Sequence, residues 1–166
     1  DGDGMAKSKE LYLGRYEVRE TEAPFGYVRN EKVYEVELVY AGQEIAVTET
    51  AVDVYDERQK VEIDLVKSME VNAAYGIGNG GELSCVTFGL YASEELIAAD
   101  GMVIPADGLI EILSLDETGR GVAKSDLPFG SYYVKELSTA DAYVIGETKY
   151  PVVFAYAGQD IAIVHL

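Results

Sequence analysis

Glu20 and Glu136 stand at the same place in two copies of one stretch, and each closes a row of apolar side chains. Side chains alternate faces along a strand, so Tyr16, Val18 and Glu20 share one face while Glu17 and Arg19 share the other. In the second copy Tyr132, Val134 and Glu136 oppose Tyr133 and Lys135. The same parity places Lys67 after Val61, Ile63 and Leu65, and Asp56 after Val52 and Val54. Four ionisable groups are thus due on core-facing rows, where a charge is costly unless it is neutralised or partnered.

Two chemistries suit such a set. One is purely structural: a buried salt-bridge network, or more plainly hydrogen-bonded turn acids at Glu20 and Glu136, a lysine stem lying along apolar surface at Lys67, and a turn-forming Asp56. The other is a reaction. Dry surroundings favour neutral forms, a neutral amine is a nucleophile, and a protonated Glu can polarise a side-chain carbonyl and relay the proton. An amine held against an Asp or Asn side chain then forms an amide: the N–C bond is made and water or ammonia leaves, at an effective concentration no bimolecular reaction reaches.

The elements that must position these groups are strands. Gly14, Tyr16, Glu20, Tyr27, Tyr34 and Ala41-Gly42-Gln43 return 116 residues later as Gly130, Tyr132, Glu136, Tyr143, Tyr150 and Ala157-Gly158-Gln159, which reads as a tandem repeat. Strands are expected over 33–40, 44–57, 61–67, 83–91, 102–104 and 109–113, with a turn at 22–27 and a hairpin closed by Ala41-Gly42-Gln43. Residues 1–10 resemble a turn running into a strand, 72–81 a Gly/Asn-rich surface loop, and 94–99 a short helical turn; further turns fall at 106–108 and 116–119. No Gly/Pro/Ser linker separates 44–57 from 61–67, so the repeats should join stiffly. Strands throughout point to an all-β protein, a two-sheet β-sandwich.

Composition narrows the partners. A net charge of −17 repels phosphate backbones and anionic lipid, so neither nucleic acid nor a membrane surface is expected. No apolar run approaches the roughly eighteen residues of a spanning helix, and no leader opens the chain, so any targeting segment is expected outside it. The single cysteine, Cys85, cannot form an internal disulfide and is expected partly buried as a small hydrophobe. The single histidine, His165, is remote in sequence, which argues against a Cys/His nucleophile. The Asp/Gly pattern at the start hints at calcium, but further ligands and a closing Glu do not follow, so no metal and no cofactor is expected.

A first-strand lysine (Lys67), a Phe-Gly-Leu-Tyr strand (Phe88-Gly89-Leu90-Tyr91) and a Tyr-x-Val-x-Glu-Thr-x-Ala-Pro-x-Gly-Tyr block from Tyr16 to Tyr27 resemble the B-type repeats of collagen adhesins and SpaA-type pilins of Gram-positive bacteria. The second block keeps Glu136 and Tyr143 but has Leu137, Thr139-Ala140 and Ala142 where Thr, Ala-Pro and Gly stand in the first. The resemblance implies prealbumin-like or Ig-like sandwiches in tandem, a wall-attached extracellular location, and an intramolecular Lys-Asn/Asp isopeptide bond. Lys67 matches the reactive lysine, Glu20 and Glu136 the catalytic glutamate, and Asp56 the position that usually offers Asn.

On this reading residues 1–60 are the C-terminal part of a first repeat and 61–166 a second repeat lacking its last strand. The lysine for Glu20 and Asp56 is expected before Asp1, and the acceptor for Lys67 and Glu136 after Leu166. The exposed sheet edges are expected to be covered by neighbouring repeats or by strand exchange with another copy. The leading expectation is a structural stalk module, not a turnover enzyme. The alternatives are a module binding a host protein or glycan, as in the extracellular matrix, and an accessory domain of a secreted enzyme.

Overall fold

The computed structural model describes residues 4–78, 81–98 and 100–166. The strands run in chain order as β1 (Gly14–Val18), β2 (Tyr27–Val28), β3 (Tyr34–Leu38), β4 (Glu57–Arg58), β5 (Lys60–Val66), β6 (Thr87–Ala92), β7 (Leu96–Ile97), β8 (Val103–Ile104), β9 (Leu109–Ser114), β10 (Arg120–Ala123), β11 (Gly130–Ser138), β12 (Tyr150–Phe154) and β13 (Ile163–His165). Among the described residues no helix is long and apolar enough to cross a membrane.

From residue 60 onward two sheets face each other. One has the order β12-β11-β6-β9, the other β10-β5-β13, with β13 parallel to β5 and the remaining neighbours antiparallel. Their inward rows are those that alternation selects: Val61 and Ile63 from β5, Phe88 and Leu90 from β6, Tyr132 and Val134 from β11, closed by Leu113, Ala123 and Phe154. This is a β-sandwich whose core is made by residues of period two from both faces.

The first 58 residues hold smaller sheets, β1 with β3 and β2 with β4. The hairpin partners repeat at a displacement of 116 residues, Gly14 opposite Leu38 and Gly130 opposite Phe154. So does a hydroxyl tie that anchors each hairpin: Tyr16 Oη donates to the Tyr12 carbonyl and Tyr132 Oη to the Pro128 carbonyl. The difference lies in what covers them. Tyr132 is fully buried, whereas Tyr12, Leu13, Val39 and Tyr40 are exposed.

Several expected elements differ, each for a physical reason. Residues 44–56 form no strand, turning at 43–44 and bending at Ala46, and no strand forms over residues 5–13. In the sandwich the matching segments, β13 and β10, both hydrogen-bond to β5; no equivalent of β5 lies beside the earlier segments among the described residues, so their backbone has no ladder to join. The expected helical turn at 94–99 is instead β7, pairing with β8, because Leu96 is drawn into the core beside Gly130; Ala99 lies outside the described residues. The expected strand at 83–91 begins only at Thr87, since 82–85 turn as a short 3-10 helix. That turn leaves Cys85 exposed, not partly buried, with Val86 taking the core position. The loop at 72–81 contains a 3-10 turn at Ala73–Tyr75 closed by a bridge from Asn72 to Ile77; Asn79 and Gly80 lie outside the described residues.

One residue, Gln59, separates β4 from β5, and it is only 2% exposed. Its Nε2 donates to the carbonyls of Gly158 (3.0 Å) and Ile161 (2.7 Å), its Oε1 accepts from Ala157 N (2.9 Å), and its own N–H donates to Gly26 O (2.9 Å). The buried amide is thus nearly saturated, which offsets its desolvation. Gln59→Ala is expected to lower stability by about 1 to 3 kcal/mol, because three backbone groups lose their partner. Thermal denaturation, with faster amide exchange at Ala157, checks this; an unchanged melt would show that the amide contributes nothing net.

Candidate functional site

Lys67 follows β5, whose inward row it continues, and its place is set by the turn that precedes β10. Asp116 Oδ1 accepts from Thr118 N (2.8 Å) and Arg120 N (3.0 Å), and the turn ends at Gly119, whose carbonyl accepts from Lys67 N (2.8 Å). Gly119 has φ +82, and a Cβ there would lie 2.2 Å from the Lys67 carbonyl oxygen, so only glycine allows this approach. Lys67 is thereby fixed at the rim of one sheet.

Glu136 comes from the other sheet. It continues the row Tyr132 and Val134 on β11, lies opposite Phe88 of β6, and sits where the β11–β6 pairing shifts register before Ser138. Its side chain is 3% exposed and that of Lys67 is 26% exposed, with Lys67 Nζ 3.1 Å from Glu136 Oε1. Oε2 accepts a 2.6 Å hydrogen bond from Gly146 N. Oε1 receives no well-aligned hydrogen bond, so amine and acid are held in proximity rather than locked in an ideal pair. The loop carrying Gly146 is tied across the site by Tyr143 Oη, which donates to Glu70 O (2.8 Å).

The first unit has the same carboxylate anchor. Glu20 Oε2 accepts from Asn30 N at 2.6 Å, and Asn30 lies 116 residues before Gly146. Asp56 sits beside Glu20. Desolvation first, then the charge and hydrogen bonding of Glu20, hold its carboxyl above the ordinary value of 3.8, and its Oδ1 is buried without a hydrogen bond.

The four residues singled out by alternation therefore gather as two pairs, Lys67 with Glu136 and Asp56 with Glu20. Lys67 and Asp56 belong to different sites. A complete amide-forming set needs amine, acid and acceptor together, and neither pair holds all three. Sequence reasoning missed the backbone donors of Asn30 and Gly146. Their common distance of ten residues from Glu20 and Glu136 was the available signal, but neither side chain announces the role.

Glu62, Asp64 and His165 can bring three ligand atoms within 4.8 Å of one another. The cation that already serves Asp64 is Arg120, through Nε (3.0 Å) and Nη2 (2.6 Å), and His165 Nδ1 stands 3.6 Å from Glu62. The early Asp/Gly pattern at Asp1, Gly2 and Asp3 lies outside the described residues.

Comparison with known proteins fits this geometry. The model of the family described as "SpaA: Prealbumin-like fold domain" matches residues 1–53 and 75–165. Among solved structures the chain is similar to "The Bacillus anthracis TIE protein", with 27% sequence identity and a TM-score of 0.51 over 94% of this chain. The match spans 25% of that longer chain. No curated protein matches in sequence.

The raised pKa of Asp56 sets a pH dependence. A carboxyl that binds its proton more tightly when folded lends stability fully below its unfolded pKa and loses it as pH rises through the folded value. From about pH 4 upward, the β1 and β3 amides of the wild type should therefore lose protection relative to Asp56→Asn, while near pH 3 the difference should shrink. Hydrogen exchange of both proteins at matched pH measures it, and a gap independent of pH would show that Asp56 is not held protonated by the fold.

Proposed function

The chain belongs to the SpaA prealbumin-like fold domain family, and on that premise we propose that it is a structural stalk module of a Gram-positive surface adhesin or pilus protein, extracellular and attached to the wall. Each complete unit is closed by an amide between a lysine and an Asp or Asn, promoted once by a buried glutamate. No turnover follows, so the protein is not an enzyme in the ordinary sense. Residues 1–60 and 61–166 are parts of two consecutive units. The single observation that carries the reading is the Lys67 amine 3.1 Å from a carboxyl that is 3% exposed and reached from the opposite sheet. The Glu20–Asp56 pair supplies the complementary half, acid with acceptor, in the matching place of the other unit.

In the cross-link the Lys67 nitrogen attacks the acceptor's side-chain carbonyl carbon, Glu136 passes a proton to the leaving group, and ammonia departs from Asn or water from Asp. The resulting bond constrains a loop of about 100 residues, which in the chain-entropy account is worth about 4 to 5 kcal/mol. Unlike a disulfide it survives reduction, and it joins strands where pulling force enters.

The test is the intact mass of the protein carrying its natural flanking sequence on both sides. A deficit of one water or one ammonia per complete unit is expected, with a branched peptide joining Lys67 to a residue past Leu166. Glu136→Ala should restore the full mass in that unit. Full mass in the wild type would overturn the cross-link.

A further inference from the structure

We propose that the turn at residues 40–45 is a socket that receives the Ala-Pro-Phe-Gly turn of another unit of the same kind, the one preceding it in the array. The inference deepens the array part of the reading above and is independent of the cross-link. It begins with an interface already formed in the chain. The turn that follows β12, Tyr156-Ala157-Gly158-Gln159-Asp160-Ile161, grips the Ala23-Pro24-Phe25-Gly26 turn of the first unit.

The grip has an apolar part and a polar part. Phe25 packs against Tyr156 with ring centroids 4.7 Å apart and against Phe129 at 5.8 Å, while Gly26, with φ +90, passes so close that a Cβ would lie 3.1 Å from the Phe129 ring. Gln159 takes one hydrogen bond through Oε1 from Ala23 N (2.8 Å) and another through its carbonyl from Arg29 N (2.8 Å). Asp160 pairs with the Arg29 guanidinium at 2.7 Å.

The gripping turn recurs 116 residues earlier. Tyr40-Ala41-Gly42-Gln43-Glu44-Ile45 repeats the turn with one change, Glu for Asp, which keeps the charge that pairs with arginine, and Leu13 stands where Phe129 lies. The backbone is already in the gripping shape: φ is +112 at Gly42 and +99 at Gly158, and Ile45 N to Gly42 O (3.3 Å) matches Ile161 N to Gly158 O (3.4 Å). What differs is cover. Tyr40 is 66% and Leu13 57% exposed, at the positions that Tyr156 and Phe129 occupy under Phe25.

The plug is less faithfully copied. In the second unit Phe25 becomes Asp141 and Arg29 becomes Ile145, so the aromatic anchor and the cation are both missing from that turn. Phe25 remains 74% exposed in the junction, so its ring rests against Tyr156 and Phe129 rather than filling a pocket, and Arg29 adds the ion pair to Asp160. The Tyr40 socket therefore fits a Phe-type plug from upstream, and the 139–145 turn does not supply one downstream.

The experiment titrates the isotope-labelled chain with a peptide of residues 20–29, cyclised to hold the turn, and follows amide shifts. Saturable shifts at Gln43, Glu44 and Ile45 are expected, weakened about tenfold or more by Gln43→Ala and absent for the F25D peptide. In a Phe25→Asp chain the peptide should also shift Gln159 and Ile161, the freed junction. A response at the freed junction but not at 40–45 would overturn the proposal, as would no response at either turn, or 40–45 shifts that survive Gln43→Ala. The readout needs no covalent bond, so a missing mass deficit with intact docking would sink the cross-link alone.

Discussion

A carboxyl group at 3% exposure between two sheets is the constraint on which the sandwich turns. Burying Glu136 costs free energy that neither Tyr132 nor Val134 can return, and it is offset by two groups from elsewhere in the chain: the Gly146 amide and the Lys67 ammonium. Lys67 reaches it from the β10-β5-β13 sheet and Glu136 from the β12-β11-β6-β9 sheet, so satisfying the acid also fixes how the two layers are offset. Removing Lys67 would leave the buried carboxyl with the Gly146 amide alone. The site and the fold are in this sense one arrangement.

The positions around it serve that contact. Gly119 lets the turn before β10 press on the Lys67 backbone, and Gly146 lets the chain approach the carboxyl, where a Cβ would stand 2.9 Å from Oε2. Tyr143 ties the loop that carries Gly146 to Glu70. In the first unit the same acid is anchored by Asn30 but meets Asp56 instead of an amine, and one carboxyl oxygen goes unpaired.

The junction follows a different logic. Phe25, Gln59, Arg29 and the turn at 156–161 join the two units through aromatic packing, a nearly saturated buried amide and an ion pair, with a single residue between β4 and β5.

The alternation of side chains was legible from residue 60 onward, where Val61, Ile63, Tyr132, Val134 and Glu136 are buried as parity placed them, whereas Val18 and Val54, due on core-facing rows earlier in the chain, are exposed. Parity is a local property of extended backbone, so it needs no knowledge of the partner strand. The pairing of Lys67 with Glu136 and of Asp56 with Glu20 was what the resemblance to B-type repeats implied. What the chain alone left open was which segments would acquire a ladder. Residues 44–56 have the composition of β13's neighbourhood yet stay unpaired, Leu96 became a strand residue because the core drew it in, and Cys85 was turned outward by a 3-10 turn. Hydrogen bonds between strands and the space available to a side chain depend on segments distant in sequence, and only the assembled sheets decide them.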